Sequence, residues 1–255
     1  MTLPFLSTAR SLTRTRPMSD FDQADISGLR LLLCNLTPDS IPPVANPCCN
    51  RPIFDADLVL MVLLTGVLFF TSGAAALFYQ IAWQRTLFGW YGVDLDSVSV
   101  IVSIFMLGLG IGAIVGGWLA DHFQFKRILV FSLIELTIAI VGLFSLNIID
   151  FVGAGMVANS LLRLVVMTFL LFLIPTCAMG ATLPVLVTEL VARTGNVGLS
   201  TGNLYFANTL GAAIGALIAG LILIPLAGLD GLIQTAVALN LAVSSIAFLA
   251  FRRLV

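Results

Sequence analysis

From residue 57 onward the chain is a succession of apolar runs, each long and almost free of charge. A hydrocarbon core about 30 Å thick takes about 20 residues of helix to cross. Inside it, backbone donors and acceptors must be paired within the segment, so each run reads as a membrane-crossing helix. Six are expected, at about 58–82, 96–120, 127–148, 156–183, 203–225 and 230–251. The fourth is interrupted by Pro175 and closed by Pro184. Composition agrees: 59% of residues are hydrophobic, 10% are charged and the mean hydropathy is +1.09, whereas a soluble domain carries about a quarter charged residues. The expected fold is an all-α membrane domain over 55–255 with short connections, preceded by a tail over 1–54.

The tail is polar and proline-rich ("STARSLTRTRPMSDFDQAD", "NLTPDSIPPVANPCCNRP") and reads as mostly disordered and cytoplasmic. Its apolar piece at 29–36 is too short to span, and no secretory cleavage pattern follows it. With a net charge of −1 there is no basic surface to suggest nucleic acid. The cysteines Cys34, Cys48, Cys49 and Cys177 form no metal-ligand spacing, and His122 stands alone, so neither a metal nor another cofactor is expected. Cys48 and Cys49, just before the first span, fit reversible palmitoylation or two reduced thiols. Orientation follows from the positive residues near span ends. Arg10, Arg14, Arg16, Arg30, Arg51, Lys126, Arg127, Arg193, Arg252 and Arg253 fall on one side; Arg85 and Arg163 fall on the other. Both termini are expected to be cytoplasmic, in a bacterial inner membrane.

The chain also resembles itself. "LGLGIGAIVGG" (107–117) and "LGAAIGALIAG" (210–220) share six of eleven residues at an offset of 103, and "TSGAAAL" (71–77) resembles "AMGATLP" (178–184) at an offset of 107. A unit of three crossings re-enters from the opposite face on its second copy, so the implied architecture is a 3+3 inverted repeat. The competing explanation is convergent glycine patterning for tight helix packing.

Within this frame a few residues stand out. Gly108, Gly112 and Gly116 recur every fourth position and form a small-residue face for close helix contact, echoed by Gly211 and Gly215. Such a face serves as a fixed contact or as a sliding surface. Glu135, in "LIELTIAI", is the most deeply placed carboxylate of the six runs. A charge at that depth marks a functional candidate facing the bundle interior; its structural alternative is a protonated or hydrogen-bonded acid that holds two helices together. In "YQIAWQR" (79–85), an aromatic belt accounts for Tyr79 and Trp83. Gln80 and Arg85 are candidates to share a polar cavity with Asn203, Tyr205 or Asn208. In "IPTCAMGATLP" (174–184) two prolines and a glycine fall within one span, which marks a kink or a discontinuous helix.

"GGWLADHFQFKR" (116–127) resembles the loop signature of the major facilitator superfamily through Gly117, Leu119, Ala120, Asp121, Lys126 and Arg127. The resemblance implies a half-major-facilitator fold in which Asp121, Lys126 and Arg127 help gate one side. Phe123, Gln124 and Phe125 occupy the place of that loop's usual glycine, and a positive-inside anchor accounts for Lys126 and Arg127 equally well.

Taken in order, "SGAAALFYQIAWQRTLFG", "FMLGLGIGAIVGGWLAD", "LIEL", "AMGATLPVL" and "LYFANTLGAAIGALIAGLILIPLAGL" resemble the fused major-facilitator/spermidine-synthase-like family of integral membrane proteins. In many members a soluble aminopropyltransferase-like domain follows the membrane region. This chain ends at "FRRLV" and contains no glycine-rich turn after a strand and no acidic pair for an amine. The resemblance therefore implies a membrane module rather than a complete enzyme. It is expected to be a transporter-like unit for a small polar or cationic, polyamine-type metabolite, with Glu135 as counter-charge and Gln80 and Arg85 at the outer entrance. It would work as a homodimer or with a separate protein partner. The alternatives are a non-transporting anchor or assembly subunit, and the membrane portion of an aminopropyltransferase-type enzyme encoded apart.

Overall fold

The computed structural model describes residues 56–91, 95–156 and 161–254, which are helical apart from short joints and contain no strand. The tail at 1–54, with Cys34, Cys48, Cys49 and the N-terminal arginines, lies outside the described residues. The helices are α1 (Ala56–Tyr91), α2 (Leu95–His122), α3 (Arg127–Met156), α4 (Leu161–Thr194) and α5 (Val197–Ile218). A π-helical turn (Ala219–Leu223) and α6 (Ile224–Leu254) complete them. Among the described residues five helical segments are long and apolar enough to cross a membrane, the last being the 54-residue run Val197–Ala250. The described residues are thus those of an all-helical integral membrane domain.

Several boundaries differ from the expected ones, α3 running on to Met156 and α5 starting at Val197 among them, and three differences bear on the architecture. α1 continues past residue 82 to Tyr91, because "QRTLFGWY" contains no proline or turn cluster. α4 passes through both Pro175 and Pro184 and ends at Thr194. Threonine hydroxyls beside the prolines supply donors there. Thr176 donates to the carbonyls of Phe172 and Leu173, and Thr188 to those of Pro184 and Val185. The carbonyls that the prolines leave without their usual amide belong to Leu171 and Gly180, four residues back, and at Gly180 α4 packs closely on Leu109 of α2. The third difference is the final run, which has no polar loop between the stretches expected at 203–225 and 230–251. Its helical geometry is broken at Gly228, whose φ of 69° and ψ of −166° are open only to glycine.

The other joints are just as short. α4 stops at Gly195, with φ of 67°, and α5 starts at once because Asn196 caps it, accepting from the Leu199 amide at 3.0 Å. Between α2 and α3, Lys126 N–H donates to the Phe123 carbonyl, closing a tight turn. Arg127 Nε donates to the Ala120 carbonyl at 3.0 Å and so satisfies the end of α2.

Two apolar clusters fix how the elements run. One gathers Leu68 and Phe69 (early α1), Ala120 (late α2), Phe131 (early α3), Leu186 and Leu190 (late α4), Leu204 (early α5), and Val243 and Ala247 (late α6). The other gathers Trp83, Ile101, Ile138, Phe172, Ala219 and Leu232 from the opposite ends of the same elements. Hence α1, α3 and α5 point one way and α2, α4 and α6 the other, and the chain reverses at Gly228. Without that reversal Leu204 and Val243 would be separated by roughly 60 Å of helix.

Contacts are most extensive between α2 and α4, α1 and α5, and α3 and α6, followed by α3 with α4 and α1 with α6. α1, α3, α4 and α6 therefore surround a common axis, while α2 lies outside against α4 and α5 outside against α1. Large apolar side chains such as Ile114, Trp118, Leu217 and Leu221 are exposed on the outer helices, as lipid contact requires.

Candidate functional site

The axis of the bundle is lined by one stripe of α1 and one of α3. On α3, Ile128, Phe131, Glu135, Ile138, Gly142, Ser145 and Ile149 alternate three and four residues apart; on α1, Thr65, Leu68, Ser72, Ala75, Tyr79 and Trp83 do nearly the same. That spacing keeps each set on one face of its helix. The two faces meet in a parallel register. Ser72 Oγ donates to Glu135 Oε1 at 2.6 Å, Tyr79 lies over Gly142, and Trp83 Nε1 donates to Ser145 Oγ at 2.8 Å. A Cβ at Gly142 would strike the Tyr79 ring, so that layer requires glycine.

Glu135 is fully buried, as are Tyr79 and Trp83. Its second oxygen, Oε2, has no hydrogen-bond partner, and neither do Tyr79 Oη and Asn240 Oδ1. Asn240 belongs to α6, where Ser244 exchanges hydrogen bonds with Ser132 of α3. Those helices are antiparallel, so the Ser132–Ser244 clasp sets Asn240 and Glu135 at the same depth. A buried polar atom without a partner is costly, and native proteins keep few of them. Here a carboxylate oxygen and an amide oxygen, both able to accept, remain open at one level of an apolar bundle. Such a pair suits a proton or a cationic group, either of which supplies donors, and the unpartnered Tyr79 hydroxyl is a donor of the protein's own near Glu135. Above this level the axis is sealed by rings: Trp83 stacks on Phe172 with centroids 4.5 Å apart and on Tyr79 at 5.4 Å.

The other residues singled out in the sequence are dispersed. Gln80 is half-buried beside Tyr79. Arg85 is exposed at the far end of α1, lining an open cleft with Phe88, Ile224, Gly228 and Leu229. Asn208 is half-buried with its backbone carbonyl against Gly73, while Asn203 and Tyr205 are exposed. The structure does not bring these groups into one cavity with Arg85. α5 runs parallel to α1 with Gly211 against Phe70, which puts Asn203 and Arg85 roughly 35 Å apart along the axis. Asp121 and Lys126 are exposed, and Arg127 is spent on the Ala120 carbonyl. Ser72 and Asn240 were not singled out beforehand. Each is a polar residue within an apolar run, but their relation to Glu135 emerges only from long-range register.

The glycines divide sharply. A Cβ at Gly108 would meet Thr176, one at Gly112 the Cys177 carbonyl and Gly180, and one at Gly116 Ala181 and Pro184. On the other flank Gly211 lies on Phe70 and Gly215 on Ala74, while Gly73 and Gly180 return the contact toward Asn208 and Leu109. Gly110 and Gly117 face open space. Among the described residues no group of histidine, cysteine and acidic side chains is placed to hold a metal. Comparison with protein-family models, with curated proteins and with solved structures gave no match.

Proposed function

We propose that the protein is a transporter-like membrane unit that handles a small polar or cationic solute at mid-bundle, with Glu135 as the counter-charge. The carrying observation is Glu135 itself, fully buried, held by Ser72 through one oxygen and open at the other, level with the open Asn240 oxygen. A carboxylate that served only as a brace gains most when both oxygens are engaged, so the open one favours a working group.

This reading takes α5 and α6 as separate crossings, giving six in a 3+3 inverted repeat. The packing supports it. Exchanging α1 with α4, α2 with α5 and α3 with α6 turns the α2–α4 contact into α1–α5, turns α3–α4 into α1–α6, and returns α3–α6 to itself. The glycine faces follow the same exchange, since Gly108 and Gly112 against α4 match Gly211 and Gly215 against α1. Orientation is read from Lys126, Arg127, Arg193 and Arg252 at one end and Arg85 at the other, which puts the C-terminus in the cytoplasm of a bacterial cell. The resemblance to the fused major-facilitator/spermidine-synthase-like family points to a polyamine-type cation, handled by a homodimer or beside a separate protein partner.

Reconstituted protein is expected to take up labelled putrescine or spermidine, and Glu135→Gln to lower that uptake by about hundredfold, the scale of about 2.7 kcal/mol in a barrier. Unchanged uptake by Glu135→Gln at equal protein content removes Glu135 from the mechanism. A stoichiometric partner on purification, together with no uptake by the wild type, favours the anchor.

A further inference from the structure

A cavity of about 30 Å³ lies on the bundle axis between α1, α3, α4 and α6, enough for one water molecule. Its wall includes Thr65 and Leu68 of α1, Ile128 and Phe131 of α3, and Glu189 and Arg193 of α4. Glu189 and Arg193 form an ion pair at 2.7 Å, and Arg193 also reaches Met61 Sδ at 3.2 Å, so the cavity adjoins the charged end of the bundle. Thr65 donates its hydroxyl to the Met61 carbonyl at 2.6 Å, which leaves its oxygen free to accept.

The cavity and the Ser72–Glu135 pair share one face of each helix. Leu68 lies one turn before Ser72 and Phe131 one turn before Glu135, and both line the cavity while packing in the same cluster. A single apolar layer, about 6 Å deep, therefore separates the cavity from the carboxylate. In the other direction the axis is closed by Ala75 and Ile138, then Tyr79 on Gly142, then Trp83 stacked on Phe172 and tilted against Phe105. Access to Glu135 is thus short from one end only.

We propose that this cavity is the inner station of a proton-access route, by which a proton reaches and leaves the Glu135 carboxyl from the Glu189–Arg193 end, with Leu68 and Phe131 as the layer that must hydrate or part. The proposal rests on Glu135 being the working group and adds what it exchanges and from which side. The step is balanced without a co-reactant: once water bridges the layer, an O–H bond breaks in a hydronium in contact with Oε2 and one forms at Oε2, leaving water. The surroundings keep the reading simple. Beside Glu135 are Ser72 and Tyr79 of α1, and Asn240 of α6 lies at the same depth. The nearest charges on α4 are Glu189 and Arg193 at the cavity, and those on α3 are Arg127 and Asp150 near its ends. Tyr79 is the one other titratable group near the carboxyl.

Infrared spectra of the reconstituted protein test this through a carboxylic C=O band that disappears in Glu135→Gln. On transfer to heavy water that band should shift as the proton exchanges. Phe131→Ala and Leu68→Ala should each speed the shift about tenfold, and Phe105→Leu, in the opposite seal, should leave its rate unchanged. Should the alanine variants not fold, Phe131→Leu and Leu68→Val take their place with smaller accelerations in the same direction. Rates insensitive to both layer residues overturn the proposal. So does acceleration by Phe105→Leu alone, or the lack of any Glu135-dependent band over the pH range in which the protein stays folded. Exchange that follows the layer in a protein without uptake sinks the transport reading alone. Uptake that depends on Glu135 with layer-independent exchange sinks the route alone.

Discussion

The α1–α3 seam and the α2–α4 contact solve opposite problems. Along the seam, side chains meet across the bundle axis and carry its polarity: Ser72 on Glu135, Trp83 on Ser145, Tyr79 on Gly142. At the α2–α4 contact Gly108, Gly112 and Gly116 present no side chain, so α2 meets the backbone of α4 at Cys177 and Ala181 and the side chains of Thr176 and Pro184 directly. In lipid, where apolar burial brings helices together only weakly, close packing is what holds the outer helix in place. The axis is left to hold groups that packing alone would reject. On the proposed function, activity and cohesion are carried by different residues, and substitutions should separate them.

The sharpest separation lies within one helix. Gly112→Leu forces a side chain into the Cys177 carbonyl and Gly180, and should cost about 3 kcal/mol or more in unfolding free energy. Gly215→Leu on the other flank, against Ala74, should behave alike; a null effect there would break the equivalence of the two faces. On the seam, Ser72→Ala strips Glu135 of its one hydrogen bond and should cost about 1–3 kcal/mol. Gly110→Ala, two residues from Gly112 but facing open space, should instead stabilise by about 0.5–1 kcal/mol. The partly exposed Glu189–Arg193 pair should matter least, with Glu189→Gln shifting stability by about 0.5 kcal/mol or less. Equilibrium unfolding in mixed micelles, followed by tryptophan fluorescence, ranks all five.

Much of this was legible before the structure. Apolar length announces membrane helices, and a lone carboxylate inside such a run announces itself, because hydropathy is local. Glycines at every fourth position likewise declare a face, though not which helix meets it. Register is different. That Ser72 meets Glu135 depends on two helices separated by a third running in the opposite direction. The heptad-like spacing on both was present in the sequence but gave no hint that they were partners. Pro184 misleads for a related reason: proline ends most helices, whereas α4, packed extensively against α2, continues to Thr194. Arg85 and Asn203 were grouped by chemistry alone, and the parallel course of α1 and α5 keeps them apart.

The central claim is that Glu135 is kept for its function and at some expense to stability. The unfolding free energy of Glu135→Leu tests it directly. An apolar side chain removes a buried carboxylate with an open oxygen, and the Ser72 hydroxyl can turn to the Leu68 carbonyl one turn back. The variant should then be as stable as the wild type or up to about 2 kcal/mol more stable, as when well-packed apolar residues replace buried ionic groups. A loss of about 2 kcal/mol or more would show that the Ser72–Glu135 contact is a brace, and would contradict the functional reading of the site.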